Sequence, residues 1–112
     1  MYTQRTNWSK EQHFYGQVTF VDRTVANITT ALKASGLWGN TLLLWTTDNG
    51  SPPSVAGSNY PLRGGKGSFW DGGYRVPGFL NGGVVPDRMR GTTLDQMLHV
   101  SDWWPTFSAL AG

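Results

Sequence analysis

The sequence predicts an α/β chain ordered as helix, buried strand, long loop, strand and helix, and three observations carry that prediction. Apolar Val18, Val21, Val25, Ile28 and Leu32 recur at steps of three and four, which places them on one helical face. Leu42-Leu43-Leu44-Trp45 then forms an apolar run with no alternation, the pattern of a strand covered on both faces. A helix leading into such a strand points to a parallel sheet. Finally, residues 51–73 are rich in Gly, Pro and Ser, a long connection of the kind that carries function.

Residues 1–13 are polar and unpatterned and read as a lead-in. The helix is expected over residues 15–35, with Gly36 as its C-terminal stop. Thr19, Thr24, Thr29 and Thr30 are weak helix formers, so packing has to hold it. The first strand is expected over 41–47, a helical turn near 67–71 and a second strand over 74–80. The last helix is expected over 102–111, with Asp102 as N-cap and Pro105 in the first turn. Trp104, Phe107 and Ala111 would share a face, and Trp103 and Trp104 would anchor it in a core.

Composition excludes several functions. With 112 residues there is room for one domain at most, and 38% hydrophobic against 14% charged residues is a globular balance. A formal charge of +2, scattered along the chain, gives no nucleic-acid surface. The absence of cysteine removes disulfides, thiolate metal sites and thiol nucleophiles. No apolar run is long enough to span a bilayer, and the polar residues 1–10 lack the apolar core of a signal peptide.

Two segments can carry chemistry. Asp48-Asn49-Gly50 closes the first strand, and ligands in open α/β sheets bind at strand carboxyl ends. Asp offers anionic oxygens and Asn a neutral carbonyl oxygen, donors that calcium or magnesium prefer, although Asn-Gly is also a common hairpin turn. In Leu62-Arg63-Gly64-Gly65-Lys66-Gly67, glycines around a lysine let backbone N–H groups and an ammonium meet an anion such as sulfate or phosphate. The spacing is not that of a P-loop, and a flexible surface loop with solvated charges has the same composition. His13 and His99 have no partners nearby in sequence and read as surface or structural residues. Asn7-Trp8-Ser9 and Asn27-Ile28-Thr29 fit the glycosylation sequon.

Taken in order, Ser35-Gly36-Leu37-Trp38, Asn40-Thr41, Thr47-Asp48-Asn49-Gly50, Pro61-Leu62-Arg63-Gly64, Lys66, Trp70-Asp71-Gly72-Gly73, His99-Val100-Ser101-Asp102-Trp103 and Pro105-Thr106 resemble the late core of formylglycine-dependent sulfatases. The resemblance is greatest to the arylsulfatase B (N-acetylgalactosamine-4-sulfatase) group and covers residues 14–111, with the whole of 1–112 as a fragment of one catalytic domain. It implies a partial alkaline-phosphatase-like α/β domain that hydrolyses sulfate esters. By that resemblance Asp48 and Asn49 ligate calcium, and Lys66 contacts the sulfate as a catalytic and substrate-binding group. Asp71 stands where the family usually has glutamate. Asn27 falls where this group carries a sequon, and the implied setting is lysosomal or secreted. The implied substrate is a sulfate ester, including a sulfated glycan.

The family's nucleophile, a formylglycine made from cysteine or serine in a C-x-P-S-R motif, has no counterpart in this sequence. By themselves these residues are therefore expected to be catalytically inert, with apolar faces left open and marginal stability. A phosphodiesterase of the same superfamily, or a truncated non-catalytic relic that binds sulfated glycans, are the alternative readings.

Overall fold

The computed structural model describes residues 9–112. The Asn7 sequon and most of the expected lead-in lie outside the described residues. Helix α1 spans Lys10–Ala34 and so begins inside the expected lead-in. Its start is set by a capping box that hydrophobic periodicity does not reveal. The Gln12 N–H donates to Ser9 Oγ at 3.3 Å, and the Ser9 N–H donates to Gln12 Oε1 at 3.0 Å. Glu11 in the first turn and Lys33 in the last both complement the helix dipole. The Thr19 and Thr24 hydroxyls donate to the carbonyls of Tyr15 and Phe20, each at 2.9 Å, so these weak helix formers satisfy their polar groups locally.

Gly36 ends the helix as expected. With φ +74° it adopts the left-handed conformation, and its N–H reaches Lys33 O while that of Leu37 reaches Leu32 O. These two bonds form a Schellman cap. A short 3₁₀ turn, Trp38–Asn40, follows, with the Lys33 ammonium 5.0 Å from the Trp38 ring centroid.

Strand β1, Leu43–Thr46, pairs with β2, Gly78–Asn81, in antiparallel register: Leu43 opposite Asn81, Trp45 opposite Phe79, Thr46 opposite Gly78. The expected parallel sheet is corrected. A parallel neighbour requires a crossover that carries the chain back to its starting edge. Here the connection curls up beside the end of β1 and delivers β2 in the opposite direction. The unalternating run also proves to be only half-buried, and across the strands Trp45 stacks on Phe79, centroids 5.5 Å apart at 15°. The turn expected near 67–71 lies at Asp71–Tyr74, helix α2.

Helix α3 spans Trp103–Ala111. Asp102 precedes it but does not cap it, because its carboxylate accepts the His99 N–H at 2.7 Å. That bond belongs to a box around the 3₁₀ turn Val100–Asp102, where His99 Nδ1 accepts from the Ser101 N–H. His99 is thus a capping residue. Trp103 stacks on Phe107 at 6.1 Å, whereas Trp104 is 81% exposed and anchors nothing among the described residues.

Among the described residues no apolar side chain is buried. The chain exposes 9325 Å², against roughly 6,100 Å² for a folded monomer of this mass. Its radius of gyration is 17.0 Å, where about 13 Å is usual for this length. Among the described residues the buried positions are Gly65, Gly72, Gly73 and Gly82, and three of them lie in the connection between β1 and β2, Gly72 and Gly73 within α2.

Candidate functional site

The glycine-rich loop is held by backbone packed against backbone. Gly50 leaves the end of β1 with its N–H on Gly73 O at 3.0 Å, and the Gly72 N–H reaches Arg63 O at 2.8 Å. A Cβ on Gly50 would overlap the Gly72 carbonyl, and one on Gly72 would overlap the carbonyls of Gly64 and Arg63. These two positions need glycine for close approach. The Ser68 hydroxyl donates to Gly65 O at 2.8 Å, and the Gly65 N–H donates back to it at 3.1 Å.

Asn59 ties the two halves of the loop together. Its Oδ1 accepts the Ser51 N–H at 2.8 Å, and its Nδ2 donates to Ser51 O at 2.7 Å and to Gly64 O at 3.0 Å. The Lys66 N–H also reaches Ser51 O, at 3.4 Å. The backbone of Lys66 therefore lies against the residue directly after Asp48-Asn49-Gly50. The three site residues taken from the sequence thus share one end of β1.

Asp48 is exposed and Asn49 half-buried. Among the described residues the Asp48 carboxylate makes no hydrogen bond or ion pair. Asn49 Nδ2 donates to Gly50 O at 3.0 Å, which directs the amide's donor side to the backbone and leaves Oδ1 as an acceptor. Both side chains offer the hard oxygens calcium takes. They fit as part of a ligand set only, since calcium wants about six to eight oxygens and no group of three or more His, Cys, Asp or Glu gathers among the described residues. The Lys66 side chain is exposed.

Neighbouring charges have structural partners. Arg63 lies over the Trp70 ring at 3.7 Å, and Asp71 meets Arg75 at 3.5 Å and the Tyr74 hydroxyl at 3.3 Å. Asp71 is therefore occupied in a surface pair. Asn27 is exposed in the middle of α1. His13 lies on the first turns of the same helix and is exposed. Sequence reasoning missed Asn59, Ser51 and Ser68. Their partners are backbone groups, which leave no signature in sequence. The available signal was an asparagine in a Gly/Ser/Pro-rich loop, beside Tyr60-Pro61.

The sulfatase family profile matches residues 2–112. Arylsulfatase J of Mus musculus is 36% identical over 100 residues, covering 89% of this chain and 16% of that protein. Steryl-sulfatase of Rattus norvegicus is 35% identical over 109 residues, covering 88% and 18% respectively. The crystal structure of Ps i-CgsB in complex with k-i-k-neocarrahexaose superposes with TM-score 0.84 at 34% identity, over 95% of this chain and 23% of that one. The chain belongs to the sulfatase family, with a partial alkaline-phosphatase-like sulfatase domain of helices and a small two-stranded sheet. It spans about a sixth to a fifth of the length of these curated relatives. Among the described residues no helix is long and apolar enough to cross a membrane.

Proposed function

We propose that this chain supplies the metal-side and sulfate-contacting end of a sulfuric ester hydrolase, the complete protein converting R–O–SO₃⁻ and water to R–OH and hydrogen sulfate. The observation that supports it best is the backbone bond of Lys66 to Ser51, which sets the lysine loop beside Asp48 and Asn49. The Asp48 carboxylate and Asn49 Oδ1 would hold calcium together with oxygens from outside this chain. Calcium bound there would polarise the sulfate oxygens. The Lys66 ammonium orients the sulfate group and offsets the negative charge on its oxygens as the ester S–O bond breaks. The nucleophile comes from outside these 112 residues.

Within the family, assignment to the arylsulfatase B group rests on the segments around Ser35-Gly36-Leu37-Trp38 and Thr47-Asp48-Asn49-Gly50. The relatives named above, arylsulfatase J and steryl-sulfatase, match at similar identity. A sulfated glycan is the substrate class we favour, supported by the oligosaccharide in the similar solved structure. The setting would be lysosomal or secreted, with Asn27 as a glycosylation acceptor.

Turnover of p-nitrophenyl sulfate by the complete protein tests this reading. Lys66→Ala and Asp48→Ala should each lower kcat/KM by about 10²–10³-fold with the melting temperature unchanged. A chelator should lower wild-type turnover, and calcium should restore it. Unchanged turnover in either variant would sink the assigned roles. An inert complete protein that still binds sulfated glycans would instead establish the non-catalytic relic.

A further inference from the structure

Resting on the reading above, we infer that Asn59 is the positioning residue of this site: its amide holds the Asp48-Asn49 turn and the Lys66 loop at a fixed separation. Every hydrogen-bonding direction of that amide that the geometry uses goes to backbone on either side of the site. Oδ1 takes the Ser51 N–H at 2.8 Å, and Nδ2 gives its protons to Ser51 O at 2.7 Å and Gly64 O at 3.0 Å. Ser51 follows Asp48-Asn49-Gly50, and Gly64 precedes Gly65-Lys66. One side chain therefore links the segment that carries the oxygen donors to the segment that carries the cation. The Lys66 N–H, 3.4 Å from Ser51 O, completes the same junction.

The chemistry at position 59 is specific. Two carbonyls need two N–H donors and one N–H needs an acceptor, and a primary amide supplies both within one short side chain. Aspartate keeps the acceptor but sets carboxylate oxygens against two carbonyl oxygens. Glutamine has the same groups one methylene further out, where no room is left: a Cβ on Gly65 would already crowd Asn59 Nδ2, and one on Gly50 would crowd Oδ1. The hydrogen bonds of the Asn59 amide go to Ser51 and Gly64 and not to Asp48 or Lys66, so it acts on those two through the backbone.

Supporting residues of this kind typically cost about 10–100-fold in metal affinity or activity when replaced. In the complete protein, Asn59→Ala should lower kcat by about that factor. It should weaken calcium binding measured by calorimetry by about 10-fold or more. It should also accelerate hydrogen exchange at the Ser51 and Lys66 amides without affecting those of α1. Asn59→Asp serves if the alanine variant folds poorly. Its turnover relative to wild type should be low near neutral pH and rise as pH falls through the carboxyl range of about 4, where the protonated acid can donate again. A ratio that stays constant with pH, at whatever level, overturns the inference. So does wild-type calcium affinity in a folded Asn59→Ala protein. If Lys66→Ala and Asp48→Ala leave turnover intact, the functional reading fails. If they abolish it while both Asn59 variants behave as wild type, only the Asn59 inference fails.

Discussion

Replacing Gly72 with alanine should open the loop that carries the site, by an amount that follows from its surroundings. The added Cβ would overlap the carbonyl oxygens of Gly64 and Arg63, both backbone atoms that cannot rotate away. Overpacking of this kind costs about 1–3 kcal/mol. The shift that relieves it also breaks the 2.8 Å bond from the Gly72 N–H to Arg63 O, worth about 1 kcal/mol. Together they give about 2–4 kcal/mol, which is about a 30- to 1,000-fold change in a local opening equilibrium. Native-state hydrogen exchange of the complete protein reads this directly. The Gly50 and Gly72 amides, bonded to Gly73 and Arg63, should exchange faster by that factor. Gly39→Ala is the control: its Cβ would meet nothing within 4 Å and its φ is not positive, so it should stay within about 0.5 kcal/mol of wild type. Equal exchange in Gly72→Ala and Gly39→Ala would refute the claim that close backbone packing holds the loop.

Further outcomes follow from other parts of the chain. Ser9→Ala removes one arm of the α1 capping box and should cost about 0.5–2 kcal/mol, read as faster exchange in the first turn alone. Glu11, next to that cap, has its carboxyl held below the ordinary glutamate range, by its own backbone N–H first and then the Ser9 hydroxyl. A depressed folded pKa means stabilisation present above the unfolded value and lost as pH falls through the folded one. NMR titration should therefore show the α1 N-terminus loosening only at acidic pH, and loosening near neutrality would contradict it. The 112-residue chain alone exposes Phe69 at 98%, Met97 at 95% and Trp104 at 81%. It should bind an apolar dye and associate on heating, and a sharp, reversible transition from a monomer would count against this.

Several elements are legible in the sequence itself, because their determinants are local. That α1 is helical follows from apolar residues at helical steps, and its end follows from a single glycine that adopts φ +74°. The expected packing of that face is not seen, since no α1 residue is buried. The bend at Asp48-Asn49 and the last helix, with Pro105 in its first turn, are local as well, although Asp102 does not cap that helix. The succession of sulfatase-like segments identified the family, which the matched relatives confirm. The helix start was misplaced because a capping box depends on two polar side chains rather than on hydrophobic period.

Tertiary structure decided how β1 pairs, which aromatic rings meet and what closes the loop. An apolar strand shows that it will be covered but not the direction of its neighbour. That direction depends on where a connection of some thirty residues delivers β2, here antiparallel, with Phe79 on Trp45. In sequence Asn59 is one polar residue of a Gly/Pro/Ser-rich loop, and only the fold brings Ser51 and Gly64 to its amide. Those partners are backbone N–H and C=O groups, identical at almost every position of the chain. Only their arrangement in space singles them out, so the sequence could name Asp48, Asn49 and Lys66 as candidates but not what holds them together.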